Sequence, residues 1–439
     1  MGSYVPNTKA EREEMLKEIG YKSFDDMFSV IPQSVRLEKE LNIPEGKSEF
    51  ETRDILEKMA AKNVTYRSIF RGAGSYDHYI PSVVKQITSK EEFVTAYTPY
   101  QAEISQGILQ SIFEYQTMIC QLTGMDVANA SVYDGSTAAA EGCAMCKDRK
   151  RKTYVVSETV DPKTIEVIKT YAFGCGSDVV VVPKKDGLTD YDKAAEMLKG
   201  CDAACLLVSQ PNYYGQLEDV RKAVEVAHDA GAKAIVSCNP FALTILETPA
   251  EAGADVVVGE GQPLGLPISF GGPYIGFMAC TSAMMRKLPG RIVGETKDDL
   301  GNRAYVLTLQ AREQHIRREK ASSNICSNEA LCAMTVAVYM AAMGKEGLIN
   351  VANQCVSKAH YLQEGLEKAG LTKTYQGEFF HEFVTTTKVP AEKIVDALGE
   401  KGILAGLPIS ENEILWCTTE KNTKAQMDEV IAVVKEVQA

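Results

Sequence analysis

Residues 204–238 read ACLLVSQPNYYGQLEDVRKAVEVAHDAGAKAIVSC and contain one complete strand–helix–strand unit. A short apolar run, Ala204–Ser209, is followed by a helical pattern near Glu218–Ala230 and then by a second run, Lys233–Cys238. Two strands joined through a helix pair in parallel, and strands this apolar are buried on both faces of their sheet. The unit therefore predicts an α/β fold.

The same alternation continues on both sides of this unit. Four further strand candidates share the short apolar pattern: Thr153–Ser157, Asp178–Pro183, Ala254–Val258 and Ile275–Cys280. Helices are expected near Ile104–Leu122, Pro162–Phe173 and Asp190–Leu198. Six strands with helical crossovers predict a mainly parallel sheet flanked by helices, with ligands bound at the carboxyl ends of the strands.

The regions outside this sheet differ from it, and the chain divides into three predicted parts. Residues 1–60 are polar and predict an arm of short helices, one of them begun by a capping box of Ser48 and Glu51. Residues 61–325 form the large α/β domain. Residues 326–439 predict a smaller α+β domain. Its expected elements are two long helices and then alternating strands and helices: Glu329–Met343, Lys345–Ala369, Glu382–Thr387, Ala391–Glu400, Glu413–Thr418 and Thr423–Val437.

Composition excludes several classes of protein. The chain has 439 residues, of which 45% are hydrophobic, so it can form a core and is not mainly disordered. Its net charge of −12 argues against nucleic acid as the main partner, because phosphate backbones repel an acidic chain. The N-terminal segment lacks the apolar stretch of a signal peptide, and no apolar run reaches the roughly 18–20 residues that span a bilayer. We expect a soluble, cytoplasmic protein.

Twelve cysteines are scattered along the chain, mostly among apolar neighbours, as is typical of reduced thiols in a cytosolic core. Cys143 and Cys146 form a C-x-x-C on a predicted helix, and Cys201 and Cys205 are also spaced like ligands. A zinc site would need a second suitable pair, and no two of the five histidines have ligand spacing. We expect no metal; packing is the favoured role of the C-x-x-C, and a redox role stays open.

A turn of small residues precedes one predicted helix, where residues 134–141 read DGSTAAAE. Gly135, Ser136 and Thr137 would leave backbone amides free for an anion such as a phosphate, at the positive end of the helix. The alternative is an ordinary helix start capped by Ser136 or Thr137.

Three other stretches are candidates for function. Residues 95–101 read TAYTPYQ, and their hydroxyls could orient a small carboxylate or amine, or could simply line the entry to a helix. Residues 259–274 are dense in Gly and Pro and form either a functional loop or a structural turn. A basic cluster is interleaved with Glu313 and Glu319, which favours ion pairing within the fold or at an interface; it comprises Arg312, His315, Arg317, Arg318 and Lys320. G-x-S-x-G and G-x-G-x-x-G patterns are missing at the expected places, which argues against a serine hydrolase and a dinucleotide site.

These loops belong to longer runs that resemble a known family. The runs are TAYTPYQAEISQGILQSIFEYQTMICQLTGMDVANASVYDGSTAAAE, SQPNYYGQLED, VVVGEGQPLGLPISFGGPY and PGRIVGETKDDLGNRAYVLTLQAREQHIRREKASSNIC, at residues 95–141, 209–219, 256–274 and 289–326. They resemble the subunit 1 family of glycine dehydrogenase (decarboxylating), which is the P-protein of the glycine cleavage system in its two-chain form. The resemblance covers almost the whole chain and implies the fold of the type I pyridoxal-phosphate (PLP) transferases.

Enzymes of that fold need a lysine after a core strand, an acid facing the pyridine nitrogen, an aromatic over the ring and a phosphate cradle. The loop after Ala254–Val258 has no lysine, and Gln262-Pro263 stands where the catalytic half has a His-Lys pair. Asn239 stands where the acid would follow its strand. The stacking aromatic is not assigned, and only the phosphate-like turn Gly135–Thr137 remains.

The resemblance implies that PLP is bound by a partner, subunit 2, and that this chain binds no cofactor and is inactive alone. Glycine would be decarboxylated and its aminomethyl group transferred to the lipoyl group of H-protein, in an α2β2 assembly. No catalytic residue is expected on this chain alone. Cavity or partner-interface candidates are Thr95, Tyr97, Thr98, Tyr100, Gln101, Gln262, Ser323 and Asn324. Two alternatives remain: a stand-alone PLP enzyme with a displaced lysine, and a purely structural or regulatory partner of subunit 2.

Overall fold

The computed structural model describes residues 6–37, 39, 41–94, 96, 98–321, 323, 325 and 328–438. The chain forms two compact units, Met1–Thr65 and Tyr66–Ala439. The first contains helices α1 (Lys9–Glu18), α2 (Phe24–Met27) and α3 (Glu49–Ala60). Each begins with a capping box, and the one predicted from Ser48 and Glu51 at the start of α3 is confirmed.

The second unit contains seventeen strands and ten helices among its described residues. The strands are β1 Ser68–Ile69, β2 Val127–Ala128, β3 Thr153–Ser157, β4 Val179–Val182, β5 Lys184–Lys185, β6 Leu188–Thr189, β7 Ala203–Gln210, β8 Lys233–Cys238, β9 Val256–Glu260, β10 Gly276–Cys280, β11 Ile292–Lys297, β12 Arg303–Thr308, β13 Thr372–Lys373, β14 Glu382–Thr386, β15 Ile403–Leu404, β16 Leu407–Ser410 and β17 Glu413–Cys417. The helices are α4 Ser82–Thr88, α5 Gln106–Thr123, α6 Gly135–Cys146, α7 Pro162–Cys175, α8 Tyr191–Lys199, α9 Val220–Asp229, α10 Gln314–Arg317, α11 Ala330–Lys368, α12 Ala391–Glu400 and α13 Lys424–Gln438.

A seven-stranded sheet is the centre of this unit, with the strand order β2-β10-β9-β8-β7-β3-β4. The five strands from β9 to β4 pair in parallel, whereas β10 is antiparallel to both β9 and β2. The connection 261–275 contains no α-helix to carry the chain back across the sheet, so β10 returns antiparallel. The six predicted strands and the mainly parallel sheet are confirmed.

Apolar side chains that alternate along the strands pack into two layers, one on each face of the sheet. Val155, Leu206 and Val236 lie in one layer, with α8, α9 and the first part of α11. Val156, Leu207 and Ile235 lie in the other, with α6 and α7. The alternation follows from the period of two along a strand, and it explains why these strands are apolar throughout.

Helix α11 passes from the sheet layer toward the C-terminal elements. Its backbone is broken at Gly344 (φ 62°, ψ 176°), so the two predicted helices are confirmed as two helical stretches. By length and composition alone α11 could cross a membrane, but 44% of its most apolar window is buried in this fold, as in the core helix of a globular protein. The expectation that no stretch reaches this length is therefore corrected: α11 reaches it, and it packs on α5 and α4.

The C-terminal elements form a second, smaller layer structure. Its antiparallel sheet has the order β13-β14-β17-β16, and α12 and α13 cover one face. Phe383 and Trp416 from the sheet pack against Ile394 of α12 and Val430 of α13. The start of β14 lies at the carboxyl ends of the large sheet, which brings residues of both sheets to one cavity.

Candidate functional site

A cavity of about 150 Å³ lies at the carboxyl ends of β7, β8 and β9. This is where a parallel sheet normally binds its ligand. Its lining residues come from the strand ends, the first turns of α6 and α7, the segment before α4 and the start of β14; they include Ala73, Tyr76, Gly135, Ser136, Asp161, Thr164, Ser209, Asn212, Ser237, Asn239, Glu260, His381 and Glu382. Of the residues that the sequence singled out, the structure brings Gly135, Ser136 and Asn239 into this lining.

The turn before α6 is already occupied by groups of the chain itself. Asp134 caps the helix, and its carboxylate accepts the N–H of Thr137 at 2.7 Å. The alternative of a cap by Ser136 or Thr137 is therefore wrong. The helix begins at Gly135, so both residues already lie in its first turn, and Asp134 before it supplies the cap. Ser136 Oγ instead lies 2.8 Å from Thr164 Oγ1.

Glu260, the last residue of β9, takes the place that an anion would have at this turn. Its Oε2 accepts the N–H of Gly135 at 2.8 Å, and its Oε1 accepts those of Gln262 at 2.8 Å and Ile275 at 3.4 Å. A Cβ at position 135 would lie 2.8 Å from the Glu260 amide nitrogen, so only glycine allows this approach. Burial raises the pKa of Glu260 to about 7, and the nearby charge of Asp134 adds to this effect.

Glu260 is not among the residues that the sequence singles out, because it lies within the Gly- and Pro-rich loop after the fifth strand. An acidic residue directly after the buried run Val256–Val258 was the available indication, since a carboxylate at the end of a parallel strand points into the ligand-binding edge.

Asn239 is fixed between the chain's own groups at the end of β8. Its Oδ1 accepts the N–H of Phe241 at 2.9 Å, and its Nδ2 lies 3.3 Å from Nε2 of His381. His381 is only 1% exposed, and burial lowers its pKa well below the ordinary value, with a further contribution from His78. The neutral ring can accept the Asn239 amide hydrogen, so this pair carries no charge.

A second buried carboxylate faces the cavity from the start of β14. Glu382 Oε1 accepts the N–H of Ala73 at 2.7 Å, and Oε2 accepts the hydroxyl hydrogen of Tyr76 at 2.8 Å. Burial raises the pKa of Glu382 to about 7, and the charge of Asp161 raises it further. The Tyr76 ring lies 4.7 Å from that of His381, which closes this side of the cavity.

These residues give the cavity an electrostatic character unsuited to PLP. Asp161, Glu260 and Glu382 supply three carboxyl groups, while the described lining residues include no lysine and no arginine. A phosphate would meet Asp134 and Glu260 at the start of α6, and a pyridine nitrogen would meet the amide of Asn239 instead of a carboxylate. No amine of the described lining could bind the aldehyde covalently. The residues present therefore do not fit PLP.

Gln262 lies behind this lining and braces it. It is 1% exposed, and its Oε1 accepts the N–H of Tyr76 at 2.9 Å. Its Nε2 donates to the carbonyl oxygens of Tyr76 at 3.0 Å and Leu266 at 2.7 Å. The two contacts with Tyr76 thus hold the loop after β9 against the segment before α4, and the contact with Leu266 fixes the loop itself.

The loop 95–101 lies at a second place. Thr95 and Tyr97 fall outside the described residues, while Thr98, Tyr100 and Gln101 are described. Tyr100 is 52% exposed; its hydroxyl accepts a hydrogen bond from Arg291 Nη2 at 2.8 Å, and the guanidinium lies 5.1 Å from the ring centre. His315 lies 5.7 Å from the same ring. The contacts of Arg291 and His315 with Tyr100 therefore bring together residues from two of the sequence runs, 95–141 and 289–326.

The basic cluster of the sequence analysis is partly ion-paired. Glu313 lies 3.8 Å from both Arg312 and His315, and Arg312 also donates to the Gly290 carbonyl at 2.6 Å. Ser323 lies at a third place, where its hydroxyl donates to Glu141 of α6 at 2.8 Å. Asn324 falls outside the described residues. The candidates are thus distributed over the cavity, the Tyr100–Arg291 contact and the Ser323–Glu141 contact.

The cysteines of the C-x-x-C are core residues. Cys143 and Cys146 are buried in α6, and the Cys146 thiol contacts Cys205 of β7. This contact, together with burial, raises the pKa of Cys146 well above the ordinary value, so little reactive thiolate forms. All eleven cysteines in the described part of the chain are free thiols.

Comparison with known proteins identifies the family to which the chain is similar. The sequence model of the glycine cleavage system P-protein family matches residues 2–434. A probable glycine dehydrogenase (decarboxylating) subunit 1 of Moorella thermoacetica is 49% identical and is aligned over 100% of both chains; that of Bacillus licheniformis is 49% identical over 97% of both. A crystal structure of glycine decarboxylase (P-protein) of the glycine cleavage system in inhibitor-bound form has a TM-score of 0.91 and 39% identity, and covers 99% of this chain and 100% of its own.

A more distant likeness concerns the fold alone. An alanine–glyoxylate aminotransferase from Nostoc sp. has a TM-score of 0.61 at 15% identity, over 86% of this chain and 96% of that one. The fold is that of the type I PLP-dependent enzymes, as expected from the sequence.

Proposed function

Because the chain belongs to the glycine cleavage system P-protein family, we propose that it is the half of a two-chain glycine decarboxylase that does not carry the cofactor. Its role as an enzyme subunit in glycine cleavage follows from the family. The finer proposal is that PLP is bound by a separate chain, subunit 2, and supplies there the chemistry of decarboxylation.

One observation carries this proposal: the cavity at the carboxyl ends of β7, β8 and β9 has the right place in the fold but the wrong groups. Glu260 and Asp134 accept hydrogen bonds from the Gly135 and Thr137 amides that would bind a phosphate, and Asn239 and Gln262 are held by other residues of the chain. Since neither lysine nor arginine is present among the described lining residues, the chemistry needs a second chain.

The part of this chain that we propose to face the partner's active site is the loop 95–101 with Arg291 behind it. Arg291 orients Tyr100 through a hydrogen bond to its hydroxyl and through its position over the ring. Half of the Tyr100 side chain remains exposed, and Gln101 beside it is exposed as well. A fixed, exposed phenol can position a glycine carboxylate or exclude water from it.

The remaining candidate residues would fix the loops near the site without lining it. Gln262 holds the loop that ends at Gly272, and Ser323 fixes the segment before α11 against Glu141. The family role further leads us to propose that the assembled enzyme is an α2β2 heterotetramer in the cytoplasm, and that the aminomethyl group is passed to the lipoyl group of H-protein.

The test is to purify this chain alone and together with subunit 2. We expect PLP absorbance and glycine–bicarbonate exchange only when both chains are present. PLP absorbance of this chain alone, abolished by one Lys→Ala substitution, would instead establish a stand-alone enzyme with a displaced lysine. If substitutions in the loop 95–101 impaired assembly but not turnover of the assembled pair, the chain would be a structural partner only.

A further inference from the structure

Three side chains from distant parts of the chain meet next to the cavity. His78 precedes α4, Cys355 lies in the second half of α11, and Glu420 follows β17. One donor atom from each lies within 4.8 Å of the other two. No spacing along the sequence indicates this group, because its members come together only when α11 and the smaller sheet pack on the segment before α4.

The contacts within the group are close and buried. Glu420 Oε2 lies 2.7 Å from His78 Nδ1 and 3.8 Å from Cys355 Sγ, while its Oε1 accepts the N–H of Tyr79 at 2.6 Å. His78 and Cys355 are buried. The second ring nitrogen of His78, Nε2, is also buried and has no hydrogen-bond partner among the described residues.

An imidazole nitrogen, a thiolate sulfur and a carboxylate oxygen are the three ligand types that Zn²⁺ binds in proteins. His78 also lines a surface pocket of about 310 Å³ together with Asp77, Leu266 and Lys421. We propose that His78, Cys355 and Glu420 bind one divalent transition-metal ion, Zn²⁺ or its analogue Co²⁺, with water as the fourth ligand.

A simple histidine–glutamate ion pair explains less of this arrangement. It leaves the Cys355 thiol as a donor to the same Glu420 oxygen over a long contact of 3.8 Å. A cation bound by both groups would replace this contact with two metal–ligand bonds. A metal ion here would also link three segments that are far apart in sequence. It would therefore stabilise the packing of the smaller sheet on the large one.

The test is a titration of the metal-free full-length chain with Co²⁺. We expect the charge-transfer absorption of a thiolate–cobalt bond, saturating at one equivalent and removed by Zn²⁺. Cys355→Ser and His78→Gln should weaken binding by roughly tenfold or more. Cys332→Ser is the matched control, because Cys332 is a buried thiol on the same helix outside the group, and it should leave the titration unchanged.

A second measurement does not depend on the variants. Zn²⁺ should raise the Tm of the wild-type chain until one equivalent is bound, since a ligand that binds only the folded state stabilises it. The proposal is overturned if wild type shows neither the cobalt absorption nor the rise in Tm, or if Cys332→Ser loses the absorption as fully as Cys355→Ser does.

Discussion

Glu260 at the end of β9 accepts the first free amide of α6, that of Gly135, at 2.8 Å. A carboxyl side chain thus occupies the helix end at which related folds bind a phosphate. The carboxyl group is buried without a cation among the described lining residues, and this determines how it responds to pH.

The first prediction concerns the pH dependence of stability. The pKa of Glu260 is about 7 in the folded chain, against an ordinary value of 4.5. Between these two pH values the folded state therefore keeps a proton that the unfolded state has lost. Its contribution is fully present below pH 4.5 and is lost as the pH rises to 7. We therefore compare the free energy of unfolding of Glu260→Gln with that of wild type. The difference should shift in favour of the variant by about 1–3 kcal/mol as the pH rises from 4.5 to 8.

Urea unfolding of both chains at several pH values measures this difference directly. Glu251→Gln is a suitable control, because the pKa of this exposed residue is lowered by its hydrogen bonds with Thr248. Its difference from wild type should have the opposite sign. A wild-type to Glu260→Gln difference that is constant across the range would contradict the assignment.

The second prediction concerns Tyr100. Tyr100→Phe removes the hydroxyl that Arg291 contacts, and Tyr97→Phe removes the other hydroxyl of this loop's tyrosines. We expect Tyr100→Phe to lower decarboxylation by the reconstituted pair of chains about tenfold while the Tm stays near that of wild type, because the residue is half exposed. Tyr361→Phe, which removes a hydroxyl bonded to Asp428 from a tyrosine that is 37% exposed, should retain full activity. Unchanged turnover in both loop variants would remove this loop from the active site.

The third prediction concerns Gln262. Gln262→Ala leaves the Tyr76 N–H and the Leu266 carbonyl without their partner in a buried place. Such a loss costs about 1–3 kcal/mol, so the free energy of unfolding should fall by that amount. Gln376→Ala, which removes an exposed amide that bonds only a nearby carbonyl, should cost less than about 0.5 kcal/mol. Equal losses would show that Gln262 is not a brace.

The fourth prediction concerns the thiols. Cys175 is exposed, whereas Cys146 and Cys205 are buried and their pKa values are raised well above the ordinary value. A thiol reagent at pH 8 should therefore modify Cys175 rapidly and the other two only after denaturation. Peptide mapping by mass spectrometry identifies the labelled sites. Rapid labelling of Cys146 in the native chain would favour the redox role of the C-x-x-C.

Local patterns were sufficient for six of the seven strands of the large sheet but not for the site. Strands such as Lys233–Cys238 were predicted to the residue, since a buried parallel strand is an uninterrupted apolar run. The contact of Tyr76 with Glu382 joins residues 306 positions apart, and that of His78 with Glu420 joins residues 342 positions apart. No period or spacing indicates such contacts, because they arise from the packing of separate elements.

The hairpin of β11 and β12 shows the same limit at shorter range. Its strands carry polar residues such as Glu295, Lys297 and Arg303, so their apolar alternation is weak. The antiparallel direction of β10 was also not predicted, because it depends on the conformation of the connecting loop rather than on the strand's own residues.

The hydrogen bonds of Gln262 limit which substitutions such a chain can accept during evolution. A His-Lys pair at positions 262 and 263 would remove the hydrogen bonds of Gln262 to Tyr76 and Leu266, beside the buried acid at position 260. The side chains at positions 239, 260 and 262 each hydrogen-bond other residues of the chain. A cofactor-binding cavity would therefore require several coordinated substitutions, each of them destabilising when it occurs alone. Epistasis of this kind separates the two halves of a divided enzyme and keeps their roles from being exchanged by single mutations.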